Sequence, residues 1–344
     1  MARILIADDG IVFDGQSLEV GPLGGVESSI VNLMNELAKR GHDVHVRNNC
    51  AQALDYKGVS WRPIGEAWPD NVDLYIANRG DKVIHSLPHA GRTVFWIHNP
   101  AGYLMKWRYF SKLWQTKPAI IFIGRVHEST YPSWAPGGER IVIPYGISED
   151  FCSVVPKDMM PAPRAVFSSN PLRSLDWLLD RWAQDIQPHV PKAELHLFTG
   201  AATYGSAGDA KINQITTVLA QANALKDLGV VVRGPVPKSQ LIEEFREARC
   251  MLYRGDINET FCLAVGEAQA TGVPAVVQNY GSVVERVIDG ETGYVAEDDG
   301  AFAEAAIKLL SDDQLWIRQH RKALVKQRSW RWQDAAAAFE SLIG

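Results

Sequence analysis

Two glutamates, Glu259 and Glu267, frame the stretch ETFCLAVGE, and the seven residues between them carry no charge. Ionised carboxylates accept hydrogen bonds only, so a pair at fixed spacing suits a ligand rich in hydroxyls. If Glu259-Thr260-Phe261 starts a helix, eight residues make ~2.2 turns and set Glu267 ~80° around and ~12 Å along from Glu259. That is too wide for one glycosidic bond, which hydrolases flank with carboxyls ~5–5.5 Å or ~6.5–9.5 Å apart. The spacing fits two contacts along one extended ligand instead, one acid reaching a sugar and the other a ribose. Thr260, Phe261 and Cys262 would then offer unpaired helix-start N–H groups. Taken alone, Glu259 is equally an ordinary first-turn acid answering the helix dipole.

A second candidate is SSNPLRSLDWLL, where Arg173 stands at a helix start. A cation opposes the dipole there, and an anion such as a diphosphate would explain it; a plain surface arginine is the alternative. A third is GPLGGVES, whose Gly24 and Gly25 open a helix and let a phosphate come close to the backbone, unless they are simply turn glycines. It is not G-x-G-x-x-G, and a loop of about fourteen residues after the first strand is too long for a dinucleotide fingerprint. His98, in WIHNP at a strand end, is a lone histidine with either a structural or a site role. No D-x-D, H-E-x-x-H or Cys/His cluster occurs, so no metal is expected.

These residues need strands and helices to hold them. Apolar runs RILIAD, HDVHVRN, DLYIAN, TVFWIHN, AIIFIG and RIVIPY predict strands in the first half, and GGVESSIVNLMNELAKRG an amphipathic helix ending at Gly41. RAVFSS, ELHLFTG, VVVRGPV, CMLYRG, PAVVQN and GYVAED repeat the pattern in the second. SLDWLLDRWAQDI, KSQLIEEFREA, LAVGEAQATG, SVVERVIDG and AFAEAAIKLLSD read as its helices. Such alternation predicts parallel sheets covered on both faces. The aperiodic, proline-bearing IPYGISEDFCSVVPKDMMPAP reads as an interdomain linker. The expected division is therefore 1–148, 149–328 and a terminal helix at 329–344.

The 344 residues favour two domains, with 46% hydrophobic and 22% charged residues as in ordinary globular chains. A net charge of −5 provides no overall field for nucleic acid. Cys50, Cys152, Cys250 and Cys262 lie far apart and form no C-x-x-C, as expected of reduced cytoplasmic thiols. RILIAD follows the start directly and reads as a strand rather than a leader, and no apolar run nears ~20 residues. AGYLMKWRYFSKLWQTK combines Lys106, Arg108, Lys112 and Lys117 with Trp107, Tyr109, Phe110 and Trp114. It is either a half-buried helix with a solvated face or a peripheral membrane contact through 103–117.

ETFCLAVGEAQATGVPAVVQNYGSVVERVIDGETGYVAEDD resembles the donor-site signature of the retaining GT-B glycosyltransferases of the group 1 family. GPLGGVESSIVNLMNELAKRGHDV is similar to that family's first loop and helix, WIHNP to its histidine-bearing strand end, and IPYGISEDF to its entry into the interdomain linker. The resemblance implies an α/β fold of two Rossmann-like, doubly wound domains facing across a cleft, the first on the acceptor side. It implies that Glu259 binds the donor sugar, that Thr260, Phe261, Cys262 and Leu263 line sugar and phosphate, and that Glu267 binds the ribose. Arg173 would hold the diphosphate, with Gly24 and Gly25 approaching it from the other side and His98 beside the reacting sugar. Arg233 and Gly234 would lie against the nucleobase. The terminal helix would cross back to the first domain, with hinges near 146–163 and 325–330.

Three departures stand out. Asn170, counted among the donor-binding residues, occupies a place near which the family has Arg or Lys. Arg173-Ser174 replaces its Lys-Gly, and Cys262 a frequent glycine. The implied activity is metal-independent, retaining transfer of a hexosyl-type group from a UDP- or GDP-linked donor, without a further cofactor, to a saccharide or lipid-linked acceptor in polysaccharide or glycolipid biosynthesis. The implied location is cytoplasmic, with or without contact to the inner membrane face. A non-catalytic nucleotide-sugar binder and, more remotely, an NAD-dependent oxidoreductase are the alternatives.

Overall fold

Short apolar runs in the sequence form most strands of the two sheets around which the chain is built. A computed structural model describes residues 1–21, 23–156, 159–200 and 211–343. The chain divides into one compact unit of Met1–Gly146 with Arg331–Gly344 and a second of Ile147–Trp330.

In the first unit the strands are β1 (Arg3–Asp8), β2 (Asp43–Asn48), β3 (Leu54–Tyr56), β4 (Val59–Pro63), β5 (Leu74–Asn78), β6 (Arg92–Trp96), β7 (Ala119–Phe122) and β8 (Arg140–Val142). They lie in the order β3-β4-β2-β1-β5-β6-β7-β8, parallel except for the β3–β4 pair. Ile4, Leu5, Ile6 and Ala7 are all wholly buried, as a strand covered on both faces must be. The helix Gly25–Lys39 turns Ile30, Leu33, Met34 and Leu37 inward. The helix Trp332–Glu340 packs on it: Arg40 forms an ion pair with Glu340, whose other oxygen lies 3.0 Å from His42 Nε2, and Phe339 meets Trp96 edge-on at 5.3 Å.

The second unit carries β9 (Arg164–Phe167), β10 (Glu194–Leu197), β11 (Val230–Val232), β12 (Cys250–Leu252), β13 (Ala275–Gln278) and β14 (Gly293–Ala296). Their order is β11-β10-β9-β12-β13-β14, all parallel. Phe167, Leu178, Trp182, Phe245, Phe302 and the β12–β13 side chains fill one continuous core. Cys50, Cys152, Cys250 and Cys262 are free and buried.

Several elements differ from the sequence reading. The β3–β4 hairpin had no expected counterpart; its strands are too short to show a period. Nor had the helix Asp313–Gln327, whose inward stripe of Trp316, Gln319, His320, Ala323 and Leu324 contains two polar residues that break the apolar pattern. SLDWLLDRWAQDI is an α-helix over Leu175–Arg181 followed by a π-turn over Trp182–Ile186, and of SVVERVIDG only 282–286 is helical, within the 3₁₀ segment Gly281–Arg286. Much of the supposed linker is packed: Ile147, Phe151, Cys152 and Val154 belong to the second unit's core. Lys157 and Asp158 of that linker lie outside the described residues.

Candidate functional site

In an open parallel sheet, ligands meet the carboxyl ends of the strands where the winding direction reverses. In the second sheet that point lies between β9 and β12, since β10 and β11 extend one way from β9 while β12 and its successors extend the other. The chain leaves β9 into Ser168-Ser169-Asn170-Pro171-Leu172-Arg173 and leaves β12 into Tyr253-Arg254-Gly255-Asp256. Two of the expected site residues, Arg173 and Glu259, are brought together there.

Arg173 Nη1 donates to Glu259 Oε2, and the Tyr253 hydroxyl donates to the same oxygen at 2.7 Å. Glu259 Oε1 takes no hydrogen bond among the described residues. Burial works against the Arg173 charge, but the Glu259 carboxylate outweighs it and holds the guanidinium above its ordinary pKa. Burial, followed by the charge of Glu259, pushes the Tyr253 phenol well up, so it remains a donor. Asn170 shapes the turn that carries Arg173: its Oδ1 accepts from Leu172 N–H at 2.9 Å and its carbonyl from Arg173 N–H at 2.9 Å.

Glu259 does not start the helix. The helix runs Leu263–Ala270, and Glu259 sits in the preceding turn, where its N–H donates to Asp256 O at 2.8 Å. The ~80° and ~12 Å helical offset from Glu267 therefore does not apply. The turn is held from outside as well: Ser282 N–H donates to Glu259 O at 3.0 Å. Gly281, at φ +62°, passes so close that a Cβ would meet Asp256 O at 2.2 Å. The helix begins behind Cys262, which is left-handed at φ +63°, and its first internal bond is Gly266 N–H to Cys262 O. Leu263, Ala264 and Val265 therefore present N–H groups without intrahelical partners. Thr260, Phe261 and Cys262 are buried beside them, with the Arg286 guanidinium 4.2 Å above the Phe261 ring.

Glu267 is also buried, and its two oxygens lie 2.7 and 2.5 Å from Lys238 Nζ. Lys238 opens the helix Lys238–Arg246, four residues beyond the left-handed Gly234 (φ +74°). Arg233, next to that glycine, is exposed, and its Nε lies 3.4 Å from His196 Nδ1. Sequence reasoning missed Lys238 and Tyr253. A lysine after a Pro-Val-Pro turn and a tyrosine ending an apolar strand carry no pattern of their own.

In the first unit the corresponding reversal falls at β1 and β5. The buried Asp8 accepts from Asn78 Nδ2 at 2.7 Å and from Arg79 Nε and Nη2 at 2.8 and 2.9 Å. Arg79 Nη2 also meets Glu27 at 2.9 Å. Burial opposes its charge, yet the two carboxylates raise its pKa above the ordinary value. Glu27 belongs to the first turn of the helix opened by Gly25 and folds back until its Oε2 would meet a Cβ on Gly24 at 2.4 Å. The helix start at Gly24 and Gly25 thus already faces a carboxylate of its own first turn.

His98 is buried, with Nε2 2.6 Å from Asn78 Oδ1 and Nδ1 2.5 Å from the Tyr145 hydroxyl. Asp8 can only accept, which turns the Asn78 amide toward it and its oxygen toward His98. His98 must then donate from Nε2 and accept Tyr145 at Nδ1. Burial, then the nearby Arg79 charge, lowers its pKa well below the ordinary value, in keeping with that neutral tautomer. A cavity of about 490 Å³ opens nearby, lined by Asp9, Arg79, Lys82, Asn99, Tyr103 and Arg108 among others. The helix Trp107–Thr116 buries Tyr109 and Leu113 but leaves Trp107 and Trp114 77% and 62% exposed, with near-parallel contacts from Phe110 to each.

Residues 162–312 match the family model for glycosyl transferases group 1. The D-inositol 3-phosphate glycosyltransferase of Corynebacterium glutamicum (strain R) is 34% identical over 123 residues, which is 34% of this chain and 29% of that protein. Its namesake from Streptomyces avermitilis is 34% identical over 108 residues, 31% of this chain and 23% of that protein. The chain thus aligns with less than a third of the length of these relatives. Among solved structures, sucrose-phosphate synthase from Thermosynechococcus elongatus superposes with a TM-score of 0.77 over 99% of this chain and 98% of its own, at 16% identity. Anabaena HepE, solved with UDP and glucose, gives 0.74 over 99% of both chains at 13% identity. The fold is GT-B, and the second unit carries a group 1 glycosyl transferase domain.

Proposed function

We propose that this chain, with its group 1 domain, is a retaining, metal-independent glycosyltransferase that takes a UDP- or GDP-linked sugar as donor. The observation that carries the reading is the meeting of Arg173, Glu259 and Tyr253 at the reversal point of the second sheet, beside the first N–H groups of the helix Leu263–Ala270, which have no partner within the helix. A diphosphate placed there finds one guanidinium and a helix start; the sugar beyond it finds a buried carboxylate whose Oε1 takes no hydrogen bond among the described residues. Glu267, charge-balanced by Lys238, takes the ribose hydroxyls, and the base lies by Arg233 and Gly234.

In this reading the bond from the anomeric carbon to the diphosphate oxygen breaks first, and its electron pair leaves with the diphosphate. Arg173 and the helix N–H groups stabilise the charge gathering on that oxygen; one such donor is typically worth about 2.7–4 kcal/mol. The acceptor hydroxyl then bonds to the same face of the carbon and passes its proton to the departing diphosphate.

The first unit takes the acceptor. Its cavity offers carboxylate, amide, guanidinium and phenol groups, a mixture suited to a polyol bearing an anionic group, whether a saccharide or the head of a lipid-linked acceptor. The helix Trp107–Thr116 brings exposed tryptophans among Lys106, Arg108 and Lys117, as a peripheral contact to an anionic membrane requires. No helix among the described residues is long and apolar enough to cross one. Such an enzyme serves polysaccharide or glycolipid assembly on the cytoplasmic face.

Thermal unfolding with UDP-, GDP- and ADP-glucose tests the donor class, since a ligand bound only by the folded state raises the midpoint. Glu259→Ala and Arg173→Ala are then expected to abolish transfer. Unaltered turnover in both would overturn the site.

A further inference from the structure

We propose that Tyr253 is a positioning residue that holds Glu259 in place once the donor has drawn Arg173 away; this rests on the donor-site reading above. The Tyr253 ring closes the end of β12, is wholly buried and packs against Phe167 at 6.0 Å. Its hydroxyl lies 2.7 Å from Glu259 Oε2, the oxygen that also receives Arg173. Glu259 Oε1 takes no hydrogen bond among the described residues and is the oxygen left for a donor hydroxyl.

Arg173 cannot serve both partners fully. A diphosphate carries more charge than one carboxylate and accepts bidentate bonds from a guanidinium, so donor binding pulls Arg173 off Oε2. Glu259 then keeps one fixed side-chain donor among the described residues, Tyr253. Its backbone stays pinned through Asp256 O and Ser282 N–H, but those bonds do not set the rotation of the carboxylate. Without Tyr253, an ionised carboxylate would turn away from the sugar as the sugar arrives, or draw water in beside the anomeric carbon. Tyr253 thus matters little in the empty protein, where Arg173 does the same work, and most in the donor complex.

Tyr253→Phe keeps the ring and removes only the hydroxyl. The readouts are calorimetric binding of UDP and nucleotide release from the glucose nucleotide that best stabilises the wild type. Loss of a hydrogen bond to a charged group should lower kcat about 10- to 100-fold. UDP affinity, which involves no sugar, stays within about twofold. In a Glu259→Gln background the same substitution should change kcat by less than about threefold, because the charged acceptor is gone. An equal loss in both backgrounds, or a kcat in Tyr253→Phe within about twofold of wild type, would overturn the inference. Wild type that binds no nucleoside diphosphate would instead overturn the donor site itself, and this assignment with it.

Discussion

Lys238 Nζ stands 2.7 and 2.5 Å from the two carboxylate oxygens of Glu267, so the acid proposed for the donor ribose is already charge-compensated. An uncompensated carboxylate near a diphosphate would repel it; this one does not. Its Nζ also lies 5.5 Å from the centre of the Phe151 ring, a residue of the second unit's core.

Removing Lys238 leaves a buried carboxylate alone. Breaking a fully buried pair costs roughly 3–5 kcal/mol, but Lys238 is about two-fifths exposed, so Lys238→Met should cost only about 1–2 kcal/mol. UDP or GDP affinity should fall about tenfold as Glu267 reorients. Adding Glu267→Gln should restore much of the stability without restoring affinity. Scanning calorimetry and nucleotide titration check both, and an unaltered single variant would show the pair to be idle.

Two of the departures from the family pattern fall on left-handed backbone. Ser174 has φ +59° and Cys262 φ +63°, each just ahead of a helix and each where the family pattern has glycine. A side chain there costs about 1–2 kcal/mol, and glycine gives back about 0.5–1 of this through its freer unfolded chain. Ser174→Gly should therefore stabilise the protein by about 0.5–1 kcal/mol. Cys262→Gly should come out near neutral, because the Cys262 side chain lies in the core and its burial is lost. Unfolding midpoints of the two variants, measured side by side, test the contrast.

Much of this architecture was legible because parallel strands buried on both faces read as short apolar runs, and β1, β5, β9 and β13 do so plainly. Glu259 and Glu267 were legible by spacing and Arg173 by its conflict with a helix dipole. The onset of the helix was not: Thr260, Phe261 and the left-handed Cys262 stand between Glu259 and Leu263, and no residue type demands that conformation at a cysteine. Lys238 and Tyr253 were hidden for a different reason. Tyr253 lies only 6 residues before Glu259 and reaches it through the turn between them, whereas Lys238 meets Glu267 from 29 residues away, across neighbouring strand–helix units. The Asp8–Asn78–Arg79 cluster was hidden likewise, joined by the β1–β5 pairing across 70 residues.

The helix Trp107–Thr116 supplies a test of the acceptor side that leaves the fold alone. Trp107 and Trp114 are mostly exposed, so replacing both with Ser should change stability by less than about 1 kcal/mol. Binding to phosphatidylcholine vesicles containing phosphatidylglycerol should fall about tenfold or more, as two interfacial aromatic anchors are lost. Co-sedimentation measures it. Equal binding by wild type and variant would take the helix out of any membrane role.

Acid should weaken the first unit through its buried histidines. His127 donates from Nε2 to Asn99 O at 2.8 Å and accepts Ile123 N–H at Nδ1 at 3.2 Å, so its ring is neutral. Protonation would set a second N–H against that of Ile123. Burial accordingly lowers its pKa to about 4, partly opposed by the bond to Asn99, from an unfolded value near 6.5. His98 is lowered as well, by burial and then by Arg79. For a depressed pKa the folded state is at full advantage above the unfolded value. As pH falls below about 6.5 the unfolded chain takes up a proton that the folded protein refuses, and stability declines by up to about 1.4 kcal/mol per pH unit per histidine. For His127 the decline levels off near pH 4. His127→Gln keeps a donor and an acceptor but cannot titrate there, so its unfolding midpoint should vary less between pH 7 and pH 4.5 than that of wild type. Parallel pH curves for the two proteins would sink the argument.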